Sequence, residues 1–362
     1  MNSLHPDNVY IIAEAGVNHN GQRELAFALI DAAAQAGADA VKFQTFNAKK
    51  LASIKAPKAI YQKQTTNAEE SQLEMLSKLE LPKRWHGELQ KYAHSKGIEF
   101  LSTAFDLDSL DFLNKLNIPV FKVPSGELTN GPLLWQFARL RKPLILSTGM
   151  ATLSEVEQAL AIVVHAYSHD TEPSNMTEVW KLWSEPRSRG ILRDRVSLLH
   201  CTSLYPTPNM AVNLKAMDTL SNAFDLRVGY SDHTNGNLIP VAAVARGAKI
   251  IEKHFTTDKN LPGPDHKASL EPHELRKMVQ EIRAITEALG SGHKAPQPDE
   301  WDTRLAARQH VVAARKISKE TILTRDDLTT ARTGGGKPAC ELWQLIGTNA
   351  KQTYEAGEAF VN

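Results

Sequence analysis

Short apolar runs, each closed by polar residues, recur along the first 290 positions and alternate with amphipathic stretches of helical period. Val9-Tyr-Ile-Ile-Ala-Glu-Ala-Gly is continuously apolar up to Glu14, the pattern of a strand buried on both faces. A polar turn at 18–21 leads into the Ala-rich stretch 25–36, a predicted helix ended by Gly37. Further strands are predicted at 39–45, 98–103, 120–125, 143–150, 196–202, 227–230 and 250–254. Helices are predicted at 109–116, 152–164, 239–246 and 272–289, and Thr152-Leu-Ser-Glu155 reads as a capping box. Eight strands alternating with helices predict a closed (β/α)8 barrel. An open doubly wound sheet is the alternative, weakened because no GxGxxG follows the first strand.

Every predicted strand ends in polar residues: Glu14, Lys42 with Gln44, Thr103, Lys122 with Ser125, Ser147, Ser203 with Tyr205, Asp232 with His233, and His254. Barrel active sites lie at that carboxyl face. Two stretches break the rhythm. The connection 47–81 is long enough to fold over the barrel mouth as a lid. The polar stretch 165–195 reads as a surface insertion without chemistry. A Gly, Pro and polar segment at 291–303 reads as a linker. It divides a catalytic domain at 1–290 from a β-rich domain at 304–362, whose short β-like runs flank a Gly334-Gly-Gly turn. A domain of roughly 60 residues has little core of its own and is expected to dock on a partner surface.

Lys+Arg and Asp+Glu nearly cancel, at 42 against 41, so nothing in the charge balance points to nucleic acid. Two cysteines exclude a disulfide framework and suit a reducing compartment. The start MNSLHPDNVYIIAEAG lacks the basic n-region of a secretion signal, and no apolar run is long enough for a membrane helix. The expectation is a cytoplasmic protein that binds neither nucleic acid nor membrane.

The stretch 228–266 carries the chemistry most clearly. Two consecutive strands each deliver a histidine near the carboxyl end, and in a parallel sheet such ends lie side by side. His233 and His254 could therefore share one metal; the plainer alternative is two unrelated histidines, one capping a helix and one packed. Lysines at inward strand ends are costly to bury without an anion, so Lys42 and Lys122 argue for a bound one.

The motifs AEAGVNHNG, VKFQT, STAFD, KVPSGELTN, STGMA, LLHCTSLYPTP, VGYSDHT, EKHFT and PGPDHKASLEP occur in order. Together they closely resemble the sialic acid synthase family, and VVAARKISKETILTRDDL resembles that family's antifreeze-like SAF domain. The resemblance covers almost the whole chain. It implies a (β/α)8 TIM barrel followed by a small β-rich SAF domain. It also implies condensation of phosphoenolpyruvate with an open-chain N-acyl hexosamine and release of phosphate. The expected reading is an N-acetylneuraminate synthase acting on N-acetylmannosamine. The alternative is a legionaminic acid synthase acting on a 2,4-diacetamido-trideoxy hexose, because the barrel motifs serve the part that the two reactions share. A non-enzymatic sugar-binding or cold-protective protein leaves the polar strand ends unexplained.

By the resemblance, His233 and His254 hold a divalent metal, with Mn2+ expected and Mg2+ or Co2+ as alternatives. Glu14 sits near the metal and the reacting carbons, where it could orient the aldehyde or shuttle protons; a structural glutamate bridging strands is the other reading. Lys42, Thr103, Lys122, Ser125, Ser147, Ser203 and Ser231 match positions around phosphoenolpyruvate. Tyr205 and Asp265 match positions beside the sugar. Glu127 and Glu252 could hold lysines or sugar hydroxyls, and His266 has no assigned role. The family assembles as a domain-swapped homodimer, and Arg308 matches the SAF arginine that reaches the partner's active site; Arg304 competes for that part. Where the family often has proline in its SAF loop this chain has Thr333.

Overall fold

The computed structural model describes residues 8–67 and 69–361, so residues 1–7, the first part of the start read above for a secretion signal, lie outside the described residues. The first unit is built on eight strands: β1 (Tyr10–Gly16), β2 (Ala40–Thr45), β3 (Glu99–Ala104), β4 (Phe121–Val123), β5 (Leu144–Ser147), β6 (Val196–Cys201), β7 (Arg227–Asp232) and β8 (Ile250–His254). They form one sheet in the order β3-β2-β1-β8-β7-β6-β5-β4. Pairing of β1 with both β2 and β8, all parallel, joins the first strand to the last and makes a barrel of what could have been an open sheet. β3 and β4 lie side by side at the seam without a ladder among the described residues. β4 is only 3 residues long and bounded by Pro119 and Pro124, which have no N–H to give.

The two-residue period of a strand sorts the barrel interior into layers. Tyr10, Ile12, Ala40, Leu101, Val120, Ile145, Leu199 and Ile250 form a closed apolar cluster. Two residues further along the same strands come Glu14, Lys42, Thr103, Lys122, Ser147, Cys201 and Glu252. The apolar floor and the polar layer above it are thus one strand pattern read a step apart. Gly229 faces inward beside Leu199; a Cβ there would lie 2.3 Å from the Ile250 carbonyl oxygen and 2.7 Å from Leu199.

Helices cover the outside of the sheet through the main core cluster. The helix Leu153–Ser168 starts at the capping box expected from the sequence: Glu155 N–H donates to Thr152 Oγ1, and Glu155 accepts from Thr152 N–H. It runs past the predicted end at 164, to Ser168. The stretch 165–195 is not the surface insertion that was expected. It contains the helix Met176–Trp183, and Val179, Trp183 and Leu192 are buried in the main core. Its polar residues mark one face of an amphipathic helix and hid the apolar face from a reading by composition. Helices Lys83–Ser95, Gly131–Arg139 and Ala216–Phe224 also went unpredicted.

Residues 47–81 carry three short helices, Ala48–Leu51, Ile60–Thr65 and Gln72–Lys78. Met75 and Leu79 pack with Val17 and Phe46 in a small separate core at the carboxyl end of the barrel.

The chain divides into two compact units between Gly290 and Ser291. In the second, β9 (Gln309–Ala313) and β10 (Leu328–Arg332) pair antiparallel, and isolated bridges join Ile317 to Tyr354 and Ile322 to Asn349. Val311, Ile317, Leu323, Leu328, Tyr354 and Phe360 belong to its own core. The helix Glu300–Ala307 runs across the boundary expected at 303/304, so the irregular linker ends earlier than the sequence suggested.

Candidate active site

A cavity of about 430 Å3 opens at the carboxyl ends of the strands. Glu14, Lys42, Thr103, Lys122, Ser125, Ser203, Tyr205, Ser231, His233, His254 and Asp265 all line it, so most of the residues singled out from the sequence converge on one space. Two do not. Ser147 is buried without lining the cavity, and its hydroxyl has no partner among the described residues. Arg308 lies in the second unit, exposed, directly after the helix Glu300–Ala307.

The polar layer is a charge ladder across the barrel. Lys42 Nζ lies 2.6 Å from Glu14 Oε2 and 3.3 Å from Glu252 Oε2, and donates to Thr103 Oγ1 at 3.2 Å. Lys122 Nζ lies 3.1 Å from Glu252 Oε1, which also accepts from Ser231 Oγ at 2.9 Å. Glu14 Oε1 accepts from Gln44 Nε2 at 3.2 Å. Burial opposes every one of these charges. For Glu252 the two lysines outweigh burial and hold its carboxyl well below the usual range. For Lys42 the two carboxylates outweigh burial and push its pKa up. Burial prevails at Glu14, whose pKa rises. Glu252 is thus the ionised partner of both ammonium groups, and Glu14 is the carboxyl closer to taking a proton. Glu252, which the sequence left between holding lysines and holding sugar hydroxyls, holds both lysines at the centre of the ladder. Glu127 takes no part in it and accepts from Asn130 at 2.7 Å.

Beside Lys122, the Gly149 N–H donates to Ser125 Oγ at 3.0 Å. A Cβ on Gly149 would stand 2.4 Å from Ser203 Oγ and 2.7 Å from Ser125 Oγ, so only glycine lets the loop after β5 approach both hydroxyls. A cation and several hydroxyls converging in a buried space make a cradle for an anion.

His233 and His254 stand with ring centroids 5.6 Å apart. Burial lowers the pKa of His233 to about 4 and that of His254 well below its ordinary value, so both are neutral near pH 7. His233 Nδ1 lies 2.8 Å from the Thr202 carbonyl oxygen; a proton held there leaves the Nε2 lone pair free, the arrangement expected of a metal-binding histidine. His254 Nδ1 is buried and has no partner among the described residues. The pair fits a divalent metal that draws its remaining ligands from water and substrate. Among the described residues no group of three or more His, Cys, Asp or Glu gathers around one point. Tyr205 lies over His233 at 4.1 Å between centroids, and Cys201 Sγ is 3.8 Å from His233 Nδ1. Asp232, expected at the strand end, turns away: it and Lys253 form an ion pair at 2.5 Å, fully buried behind the histidines.

Asp265 closes the rim. Burial, and then the nearby Glu14, raise its pKa to about 7. His266, left without a role by the sequence, fixes the loop that bears it, because its ring nitrogens meet Thr256 Oγ1 at 2.7 Å and Asn20 Oδ1 at 3.1 Å. Sequence reasoning also missed Tyr61, which stacks on Tyr205 at 4.9 Å from within the 47–81 segment. Nothing in its local pattern set it apart from a surface tyrosine.

The model of the NeuB family matches residues 29–294. The chain is 48% identical over 348 residues to an N,N'-diacetyllegionaminic acid synthase of Campylobacter jejuni, covering 96% of this chain and 97% of that one. It is 45% identical to an N,N'-diacetyllegionaminic acid synthase of Legionella pneumophila, covering 96% and 92%. The crystal structure of an N-acetylneuraminic acid (sialic acid) synthetase from Leptospira borgpetersenii in complex with citrate matches with a TM-score of 0.66 at 35% identity, covering 82% of this chain and 90% of that one. With the cavity assembled from the residues that carried the resemblance, and relatives of this similarity along nearly its full length, the chain belongs to the NeuB family of sialic acid synthases.

Proposed function

We propose that this synthase condenses phosphoenolpyruvate with the open-chain form of a 2,4-diacetamido-trideoxy hexose to give a legionaminic acid, releasing phosphate. N-acetylmannosamine, the sugar expected from the sequence, is the second reading. The observation that carries the choice is the identity of 48% and 45% to two proteins named as N,N'-diacetyllegionaminic acid synthases.

In this reading C3 of phosphoenolpyruvate attacks the aldehyde carbon, water adds at C2, and the tetrahedral adduct loses phosphate by cleavage of the C2–O bond. Lys42 and Lys122 hold the anion, aided by the hydroxyls of Thr103, Ser125, Ser203 and Ser231, with the Gly149 N–H fixing Ser125 Oγ in place. To do so the lysines share their protons between substrate oxygens and Glu252. Glu14, with its raised pKa, gives a proton to the alkoxide formed from the aldehyde or takes one from the entering water. Tyr205 and Asp265 orient the sugar. His233 and His254 would hold a divalent metal, which when bound would supply Lewis-acid polarisation of the aldehyde. The working assembly in this reading is a homodimer in which Arg308 reaches the partner's cavity and hydrogen-bonds the N-acyl carbonyl.

The test is release of phosphate from phosphoenolpyruvate across a panel of N-acyl hexoses with Mn2+ present. Turnover highest with the diacetamido sugar is expected. Preference for N-acetylmannosamine would restore the second reading, and no phosphate release with any sugar would overturn both.

A further inference from the structure

The cavity has two chemically distinct walls. Lys122, Ser125, Ser203 and Ser231 line the side of β4 to β7. Across from them, Phe46 and Phe105, which follow β2 and β3, line the same cavity with Leu51, Met75, Leu76 and Leu79 of the 47–81 segment, which also contributes Tyr61, Gln62 and Gln72. Phe46 and Phe105 meet edge to face at 6.0 Å. Met75 and Leu79 are buried in the segment's own core, whereas Leu51, Leu76 and Phe105 are half-buried and have apolar surface left to cover.

This wall is held in position. The Ala48 N–H donates to Glu80 at 2.7 Å, and the buried Lys58 ammonium bonds Glu70 at 3.0 Å and the Asn67 carbonyl at 2.8 Å. Thr65 Oγ1 donates to the Pro264 carbonyl at 3.3 Å, next to Asp265, and Tyr61 stacks on Tyr205. The segment is thereby fastened to two positions assigned to the sugar.

We infer that the 47–81 segment is the specificity element of the enzyme, and that Leu51 and Leu76 select sugars whose outer edge ends in a methyl group instead of a hydroxymethyl. The inference rests on the synthase reading above. A hydroxyl set against Leu51, Leu76 and Phe105 gives up water and finds no partner among them, whereas a methyl group gains burial. A hexose with methyl at C6 suits this apolar patch; one with a hydroxyl there does not. The polar wall, which serves the anion, is indifferent to that edge.

The experiment compares kcat/KM for the 2,4-diacetamido-trideoxy hexose and for N-acetylmannosamine in the wild type, Leu76→Gln, Leu51→Gln and the control Leu76→Met. The wild type is expected to favour the first sugar at least about tenfold, the scale on which a small apolar contact discriminates. Each glutamine variant should cut that ratio about tenfold while KM for phosphoenolpyruvate stays within about twofold; Leu76→Met should keep the ratio. Thermal melts identify folded variants, and if one glutamine variant does not fold the other carries the test. An unchanged ratio in a folded glutamine variant, or a wild type that favours the hydroxylated sugar, overturns the inference. A wild type that releases no phosphate with either sugar overturns the synthase reading instead.

Discussion

Asp265 shows how far burial can move the titration of a carboxyl. Its carboxyl is pushed from 3.8 to about 7 by burial, and then by Glu14. The sign of the linkage is the reverse of the usual carboxylate case. The folded state binds the proton more tightly than the unfolded state, so stability is lost as pH rises from 3.8 to about 7 and stays low above that. Asp265→Asn, which carries no charge, should melt several degrees above the wild type at pH 8, and the gap should close toward pH 4; about 1 kcal/mol moves Tm by roughly 1–2 °C in a chain of this size. A constant gap across that range would show that Asp265 does not titrate there. At His233 and His254 the expected outcome is metal loss: His233→Ala or His254→Ala should weaken Mn2+ binding by calorimetry and abolish turnover, and full wild-type activity in excess chelator would refute a metal role. Both histidines were legible in the sequence because polar residues closing apolar strands stand out, and both lysines because a buried cation in an apolar strand asks for an anion. Glu252 was harder to place because only the closed barrel shows that Lys42 and Lys122 reach it from different strands.

The strand ends owe their spacing to what lies behind them. Asp232 and Lys253 immediately precede the two histidines, on adjacent strands, and their ion pair is fully buried. Lys253 also donates to the Thr234 carbonyl, and Asp232 accepts from the Thr234 N–H at 3.0 Å, so β7 and β8 are tied where they end. Burial lowers the pKa of Lys253 against the pull of Asp232, a sign of how much the pair depends on both members. Removing one partner of such a pair costs about 3–5 kcal/mol, because a charge is left buried alone. Lys253→Met should therefore lower stability by that amount in chemical denaturation, and adding Asp232→Asn should recover part of it. A single variant as stable as the wild type would mean that water reaches the pair. Elements with one dominant period were read well: the strand Ile250–His254 and the helix Pro272–Leu289 have the predicted ends. The helix Met176–Trp183 was missed because charged and polar neighbours outnumber the few apolar positions that bury it.

At the scale of the whole molecule, both units leave large apolar side chains in the open. In the second unit Trp343 is 72% exposed and Ile322 62%; on the loops after β5 and β6, Met150 is 72% and Met210 94% exposed. Scattered exposed residues are ordinary, but large ones on the rim of an active-site cavity fit a surface that a second subunit covers. In the proposed homodimer, with Arg308 acting in trans, a second subunit would cover such residues, and that proposal makes a prediction that separates it from a monomeric enzyme. Arg308→Ala should weaken binding of the N-acylated sugar by about 2 kcal/mol, the scale of a hydrogen bond from a charged donor, while phosphoenolpyruvate binding changes little. Arg308→Ala and His233→Ala subunits, each inactive or nearly so, are then mixed and allowed to exchange. If the arginine serves the partner's cavity, one of the two sites in a mixed dimer combines an intact histidine pair with an intact arginine, and activity partly returns. If it serves its own cavity, every site lacks one or the other. Exchange is followed independently, by mass of differently tagged subunits, so that absence of recovery after demonstrated exchange rules out the arrangement in trans.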